Sequence, residues 1–145
     1  MENILELTDS SYSSFMEAND SVVFIDFYSE TCAPCRTLLL YLNNLEEHYK
    51  GDNIVIAKVN VSRNPKLSNK FMVRNVPLTT LIGRDKTVKR AETGLLHADA
   101  YYTMIDKELG KNKWFLSRLL SKKRAFVSRL FSKRKWLLNK LLRRK

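Results

Sequence analysis

Val22-Val23-Phe24-Ile25-Asp26-Phe27-Tyr28-Ser29-Glu30-Thr31-Cys32-Ala33-Pro34-Cys35 is the stretch that decides how the chain folds. Its first seven residues are rich in β-formers and, apart from Asp26, apolar without alternation. Such a run predicts a strand covered on both faces, at the centre of a parallel α/β sheet. The cysteines follow directly. Beyond them Leu38, Leu39, Leu42, Leu45 and Tyr49 recur at spacings of three and four, which marks one face of a helix over Arg36 to Tyr49. Gly51-Asp52 punctuates it.

Outward from this core, Ile54 to Val61 reads as a second central strand, and the strand, helix, strand order predicts a right-handed parallel crossover. Toward the N-terminus, Ile4 to Leu7 predicts a short strand, and Asp9 or Ser10 is the expected N-cap of a helix through Phe15, Met16 and Ala18. Asn64-Pro65 predicts a helix start, with Asn as N-cap and Pro at the first helical position, running to Met72. Thr79 to Ile82, the turn Gly83 to Lys86 and Thr87 to Ala91 predict an antiparallel hairpin. A last helix is expected over His97 to Leu109, stopped by Gly110.

Cys32 and Cys35 are the chain's two cysteines. Three positions apart, they cannot staple distant parts of a small secreted domain, so a structural disulfide framework is excluded. A Cys-x-x-Cys pair between a buried strand and a helix is a redox arrangement, because free N–H groups and partial positive charge at the helix start stabilise a thiolate. Cys32 is then the expected nucleophile. Cys35, one turn later, is the expected resolving thiol, and Pro34 fits an opening turn where its missing N–H costs little. The alternatives are two buried free thiols or half of a zinc site. Neither a second cysteine pair nor a suitable spacing of His48 and His97 supports zinc, and both histidines are expected at the surface. Asp26 adds to the redox reading, since a charged, unpartnered carboxylate in this run costs several kcal/mol, on the order of the penalty for any buried polar group. Burial raises its pKa and suits it to pass a proton to and from Cys35. The alternative is an Asp at the strand's solvent end with a hydrogen-bonded partner.

Over roughly residues 3 to 110 the chain resembles the thioredoxin family. The resemblance rests on three blocks in order: Asp26 to Cys35, Ala57-Lys58-Val59-Asn60-Val61-Ser62-Arg63-Asn64-Pro65, and Val73-Arg74-Asn75-Val76-Pro77. It implies a thioredoxin fold, with a central mixed sheet flanked by helices, and protein-disulfide reductase activity. Cys32 becomes the attacking thiol, Cys35 the resolving one, Asp26 the buried proton-transfer carboxylate and Lys58 its neighbour. Pro77 matches a cis-proline beside the disulfide, Val76 the backbone that pairs with a substrate strand, and Gly94 a glycine on the docking surface. Thr31, Ala33 and Pro34 complete the implied substrate-binding set. Thr31 stands where the family usually has Trp, Ala33 where it has Gly, and Leu78 where Thr is common. These departures bear on substrate preference and reduction potential. The implied partners are disulfide-containing proteins and a thioredoxin-reductase-like electron donor; the implied redox group is the Cys32–Cys35 disulfide, with no bound cofactor or metal.

The chain has 145 residues, 44% of them apolar, and a net charge of +11. That charge is uneven. Residues 1–110 hold 12 Lys and Arg against 15 Asp and Glu, a balance of −3, whereas residues 111–145 hold 14 and none, a balance of +14. A mildly acidic domain over 1–110 therefore precedes a very basic tail over 111–145. The tail repeats itself at a step of eleven residues, from Phe115, from Phe126 and from Leu137. Eleven residues is about three helical turns, so an amphipathic helix is expected, with Lys123, Arg134 and Lys145 intruding on its apolar half. An anionic membrane surface is the favoured partner, with Arg118, Lys122, Arg129, Lys133, Lys140 and Arg143 facing headgroups and Trp114 and Trp136 at interfacial depth. Nucleic acid, self-association, or packing on the domain are the alternatives. A rival of another class is a non-enzymatic targeting or binding protein in which the tail acts alone. The acidic N-terminus and the absence of a long apolar run predict a cytoplasmic protein, peripheral on the inner membrane face.

Overall fold

The computed structural model describes residues 4–111. Met1–Leu109 forms one compact unit. The amphipathic helix expected in the tail lies outside the described residues, as do its basic and tryptophan positions.

Nine elements follow one another: β1 (Leu5–Glu6), α1 (Tyr12–Ala18), β2 (Val22–Tyr28), α2 (Ala33–His48), β3 (Ile54–Asn60), α3 (Pro65–Lys70), β4 (Leu78–Ile82), β5 (Val88–Thr93) and α4 (Ala98–Glu108). They build a five-stranded mixed sheet in the order β1-β3-β2-β4-β5. β1, β3 and β2 run parallel, and β4 and β5 are antiparallel to their neighbours. β2 is therefore central, with a partner on each edge, which is why its sequence is apolar on both faces. Residues Val22 to Phe27 are all buried.

Alternation along the strands divides the core in two. Phe24, Ile56 and Leu81 pack with Leu38, Leu42 and Leu45 of α2 and with Tyr101 and Ile105 of α4. Val23, Ile25, Phe27, Ala57 and Val59 face the other way, against Tyr12 and Met16 of α1 and Leu67 of α3. Each fully buried aliphatic or aromatic side chain contributes roughly 1.5–3 kcal/mol. The two layers hold β2 as a fixed beam from which Asp26 and the cysteine loop project.

The caps differ from the sequence expectation. Ser11, not Asp9 or Ser10, occupies the N-cap position of α1, without a capping hydrogen bond from its side chain. Asp9 instead caps α3 from across the fold, its carboxylate accepting hydrogen bonds from the Lys66 N–H (3.1 Å) and the Leu67 N–H (2.8 Å). Asn64 occupies the N-cap position of α3, but its side chain does not cap it. Its Oδ1 accepts from the Asp9 N–H and its Nδ2 donates to the Asn60 carbonyl, so Asn64 fastens β3 to the β1–α1 connection. α2 begins at Ala33, three residues earlier than its apolar face indicates, because Pro34 sits in its opening turn. α3 ends at Lys70, short of Met72, whose backbone has turned left-handed at φ 51.

Candidate active site

The loop leaving β2 hands the chain straight to α2, and Cys32 is the N-cap of that helix. Its extended backbone turns the side chain back over the first turn, where Sγ accepts a hydrogen bond of 3.2 Å from the Cys35 N–H. Cys32 and Cys35 are joined by a disulfide, their Cα atoms 5.3 Å apart. Thr31, Ala33 and Pro34 are exposed, Cys32 is half-buried and Cys35 is only 3% exposed. The two sulfurs are thus chemically unequal. One is open to a partner and accepts the Cys35 N–H at the helix start, while the other faces the protein interior.

What lies beneath Cys35 is decided by strand register. Asp26 on β2 stands opposite Lys58 on β3 and Thr79 on β4; Lys58 in turn stands opposite Glu6 on β1, and Thr79 opposite Glu92 on β5. A single polar row, Glu6-Lys58-Asp26-Thr79-Glu92, therefore crosses the sheet on the face covered by α2 and α4. Asp26 is at its centre and 1% exposed, with no hydrogen-bond partner for Oδ1 among the described residues. An Asp at a solvent-exposed strand end with a hydrogen-bonded partner is thereby ruled out. Burial pushes the Asp26 pKa up to about 7, the nearby Lys58 ammonium offsetting only part of the rise. A small cavity of about 90 Å³ connects the parts, with Asp26, Cys35, Lys58, Tyr28, Glu30 and Arg36 among its walls.

The remaining implied residues gather at the same end of the sheet. Leu78, the first residue of β4, pairs with Phe27 near the end of β2, so Pro77 is carried to the edge from which the cysteine loop departs. The Val76–Pro77 peptide bond is cis. Gly94, at φ 88, donates its N–H to the Pro77 carbonyl at 2.8 Å, and a side chain there would be strained. Pro77 is buried, and Val76 and Gly94 are half-buried.

Sequence reasoning did not single out Tyr28, Glu30, Arg36 or Glu6. Glu30 Oε1 receives Arg63 Nη2 at 2.6 Å and Asn60 Nδ2 at 3.3 Å, which ties the cysteine loop to the end of β3. The two-residue spacing of Glu6 from Ile4 was the one available signal for its face; its placement opposite Lys58 is a matter of register. His48 and His97 are both exposed. Among the described residues no group of three or more His, Cys, Asp and Glu is arranged to hold a metal ion.

A helix-capping dithiol above a buried carboxyl defines a redox-active thiol–disulfide site. The thioredoxin family model matches residues 3–107. Thioredoxins of Chlorobaculum thiosulfatiphilum and Bacillus subtilis (strain 168) are each 30% identical, over 105 and 106 residues, which is 72% and 73% of this chain and 95% and 98% of theirs. A chain in a solved structure on thiol resolution in yeast mitochondrial 1-Cys peroxiredoxin via glutathione and thioredoxin systems shares the fold, with a TM-score of 0.64 at 23% identity. That likeness covers 72% of this chain and 95% of the other. The chain belongs to the thioredoxin family, and its fold is the thioredoxin fold. It is a thiol–disulfide oxidoreductase whose redox group, the Cys32–Cys35 disulfide, is part of the chain itself.

Proposed function

We propose that the protein reduces disulfides of partner proteins through Cys32 and Cys35, with Asp26 as the proton carrier and residues 111–145 as the element that brings it to an anionic membrane surface. The observation that carries the redox half is the shared cavity of Asp26 and Cys35 beneath a half-buried Cys32. In the reduced protein the Cys32 thiolate attacks one sulfur of a substrate disulfide, forming a mixed disulfide and releasing the other substrate sulfur as a thiolate. Cys35 then attacks Cys32 Sγ, which frees the second substrate sulfur and closes the Cys32–Cys35 bond. Two electrons pass to the substrate. The Cys35 proton goes to the Asp26 carboxylate, whose pKa of about 7 lets it accept and release that proton near neutral pH. Lys58 moderates the carboxyl pKa.

Val76 offers backbone to an extended substrate segment beside Pro77, with Gly94, Thr31, Ala33 and Pro34 forming the rest of the contact. The small Thr31 leaves the approach to Cys32 open, and a reductase of the thioredoxin-reductase kind returns electrons to the oxidised pair.

The tail supports the second half of the proposal by its sequence. Fourteen basic and no acidic residues, with Phe and Leu recurring at a step of eleven, match what an anionic lipid interface binds. Arg118, Lys122, Arg129, Lys133, Lys140 and Arg143 supply the charge, and Trp114 and Trp136 the interfacial anchors. No described helix is long and apolar enough to cross a membrane, and this reading is of peripheral attachment at the cytoplasmic face. Co-sedimentation with anionic and neutral vesicles at physiological salt tests it, comparing the full chain with one ending at Gly110. Binding of only the full chain, and only to anionic vesicles, supports it. Equal recovery of both chains in the supernatant refutes it, and retention on nucleic acid with a steep salt dependence assigns the tail to that partner instead.

A further inference from the structure

Two buried side-chain atoms lack a hydrogen-bond partner among the described residues, Asp26 Oδ1 and Thr80 Oγ1. They cannot serve each other. Thr80 pairs with Ile25 and leaves the sheet on the face covered by α1 and α3, away from the carboxyl. Its neighbour Thr79 has the right face. It is the register partner of Asp26 on β4, it is fully buried, and partners on one face of an antiparallel pair hold their Cβ atoms about 4.5–5.5 Å apart. The Thr79 hydroxyl is only loosely engaged. It donates to the Glu92 carbonyl of β5 at 3.4 Å, long for a hydroxyl donor, whose usual range is roughly 2.5–3.0 Å. At the centre of the polar row, a weakly held donor thus stands beside a carboxyl oxygen that has none.

We propose that Thr79 is a positioning residue that turns its hydroxyl from the Glu92 carbonyl to Asp26 Oδ1 when the carboxyl gives up its proton, and so steadies the buried carboxylate. The inference rests on the proton-carrier role given to Asp26 above. A threonine side chain has three staggered positions, and a step between them exchanges hydroxyl and methyl without moving the strand. The protonated carboxyl is neutral and offers the hydroxyl little more than the Glu92 carbonyl does. The carboxylate binds a donor about twice as strongly as a neutral acceptor, and it has no water shell to lose. The charged and titratable groups that face Asp26 are Lys58 from β3, Tyr28 from β2 itself, Cys35 and Arg36 from α2, Glu30 from the cysteine loop and Tyr101 from α4, with Glu92 of β5 beyond Thr79. All of them stay in place when Thr79 alone is changed.

The test is NMR on the oxidised full-length chain, beside the pH profile of disulfide reduction. Three-bond couplings to the Thr79 methyl carbon report its side-chain rotamer, and the Asp26 carboxyl carbon reports the titration. In the parent the couplings are expected to change with pH at the Asp26 midpoint, and in Asp26→Asn to stay constant. Thr79→Val keeps the shape and removes the donor; it is expected to raise the Asp26 midpoint by about half to one pH unit, whereas Thr79→Ser keeps the parent value. Couplings that ignore pH in the parent overturn the inference, and that arm needs no variant to fold. An unmoved or lowered midpoint in Thr79→Val overturns it too, as does an equal rise in Thr79→Ser, which would make packing rather than the hydroxyl responsible. If couplings and midpoint respond as expected while the rate profile of Thr79→Val stays with the parent's, the inference stands and the proton-carrier role of Asp26 fails.

Discussion

Asp26 and Lys58 stand directly opposite each other on neighbouring parallel strands, yet the carboxyl is held near neutrality in pKa rather than pulled down by its cationic neighbour. Desolvation outweighs the Lys58 charge because Asp26 is enclosed by the sheet and α2. Lys58→Met is therefore expected to raise the Asp26 midpoint. Carboxyl NMR measures it directly, and a fall would mean that the ammonium does not lower the carboxyl pKa.

The same carboxyl makes stability depend on pH in the direction opposite to most acids. The folded pKa of about 7 lies above the unfolded value of 3.8, so the folded chain holds the proton more tightly. The stability this confers is complete below about pH 4 and fades as the pH rises through 7. Its full size is about 4 kcal/mol at the usual conversion for one pKa unit. Asp26→Asn is expected to lose this dependence. In urea titrations the difference between variant and parent should grow in favour of the variant from pH 4 to pH 8; a difference that is flat across this range contradicts the shift.

The unequal burial of the two sulfurs separates their substitutions. Cys32→Ser is expected to abolish reduction of a protein disulfide, measured as released substrate thiol. Cys35→Ser is expected to stop one step later, with a mixed disulfide to Cys32 accumulating and visible by mass. Similar residual turnover in both variants would contradict the division of labour.

Asp9 caps a helix that begins 56 residues later in sequence, at Pro65. Asp9→Ala is expected to cost about 1–2 kcal/mol, the upper range for loss of a cap, with the N-terminus of α3 exchanging its amide hydrogens faster. Ser10→Ala is the control. Among the described residues its hydroxyl meets only the exposed Thr8 side chain, so the denaturation midpoint should stay near that of the parent.

Core packing against β2 provides a last check on the layered architecture. Leu38 of α2 is fully buried against the sheet, and Leu38→Ala is expected to cost about 2–5 kcal/mol. Leu40, two positions on, is 63% exposed, and Leu40→Ala should change the urea midpoint little.

Much of this architecture was legible in the sequence, because local patterns carried it. The run from Val22 to Tyr28, apolar but for Asp26, marked the central strand to the residue, and the spacing of Leu38, Leu42 and Leu45 marked the buried face of α2. Cys32, Cys35 and Pro34 declared the helix start, since an N-terminal turn tolerates Pro and stabilises a thiolate. Asp26 was conspicuous as the one carboxylate in a buried run. The caps were less legible: Asp9 looked like the start of the nearest helix because a capping carboxylate in sequence does not reveal which set of free N–H groups it will meet.

Tertiary structure alone decided the rest. Strand pairing turned five residues far apart in sequence into the row Glu6-Lys58-Asp26-Thr79-Glu92. It placed the Tyr28 ring under the Lys58 ammonium and carried Pro77 and Gly94 to the cysteine end of the sheet. The physical reason is that hydrophobic periodicity specifies which face of a strand is buried, whereas register and strand order are set by how whole elements pack. The sequence by itself determined the dithiol, the carboxyl and the elements that bear them. The environment that holds the Asp26 pKa near 7 was created only when α2 closed over the sheet.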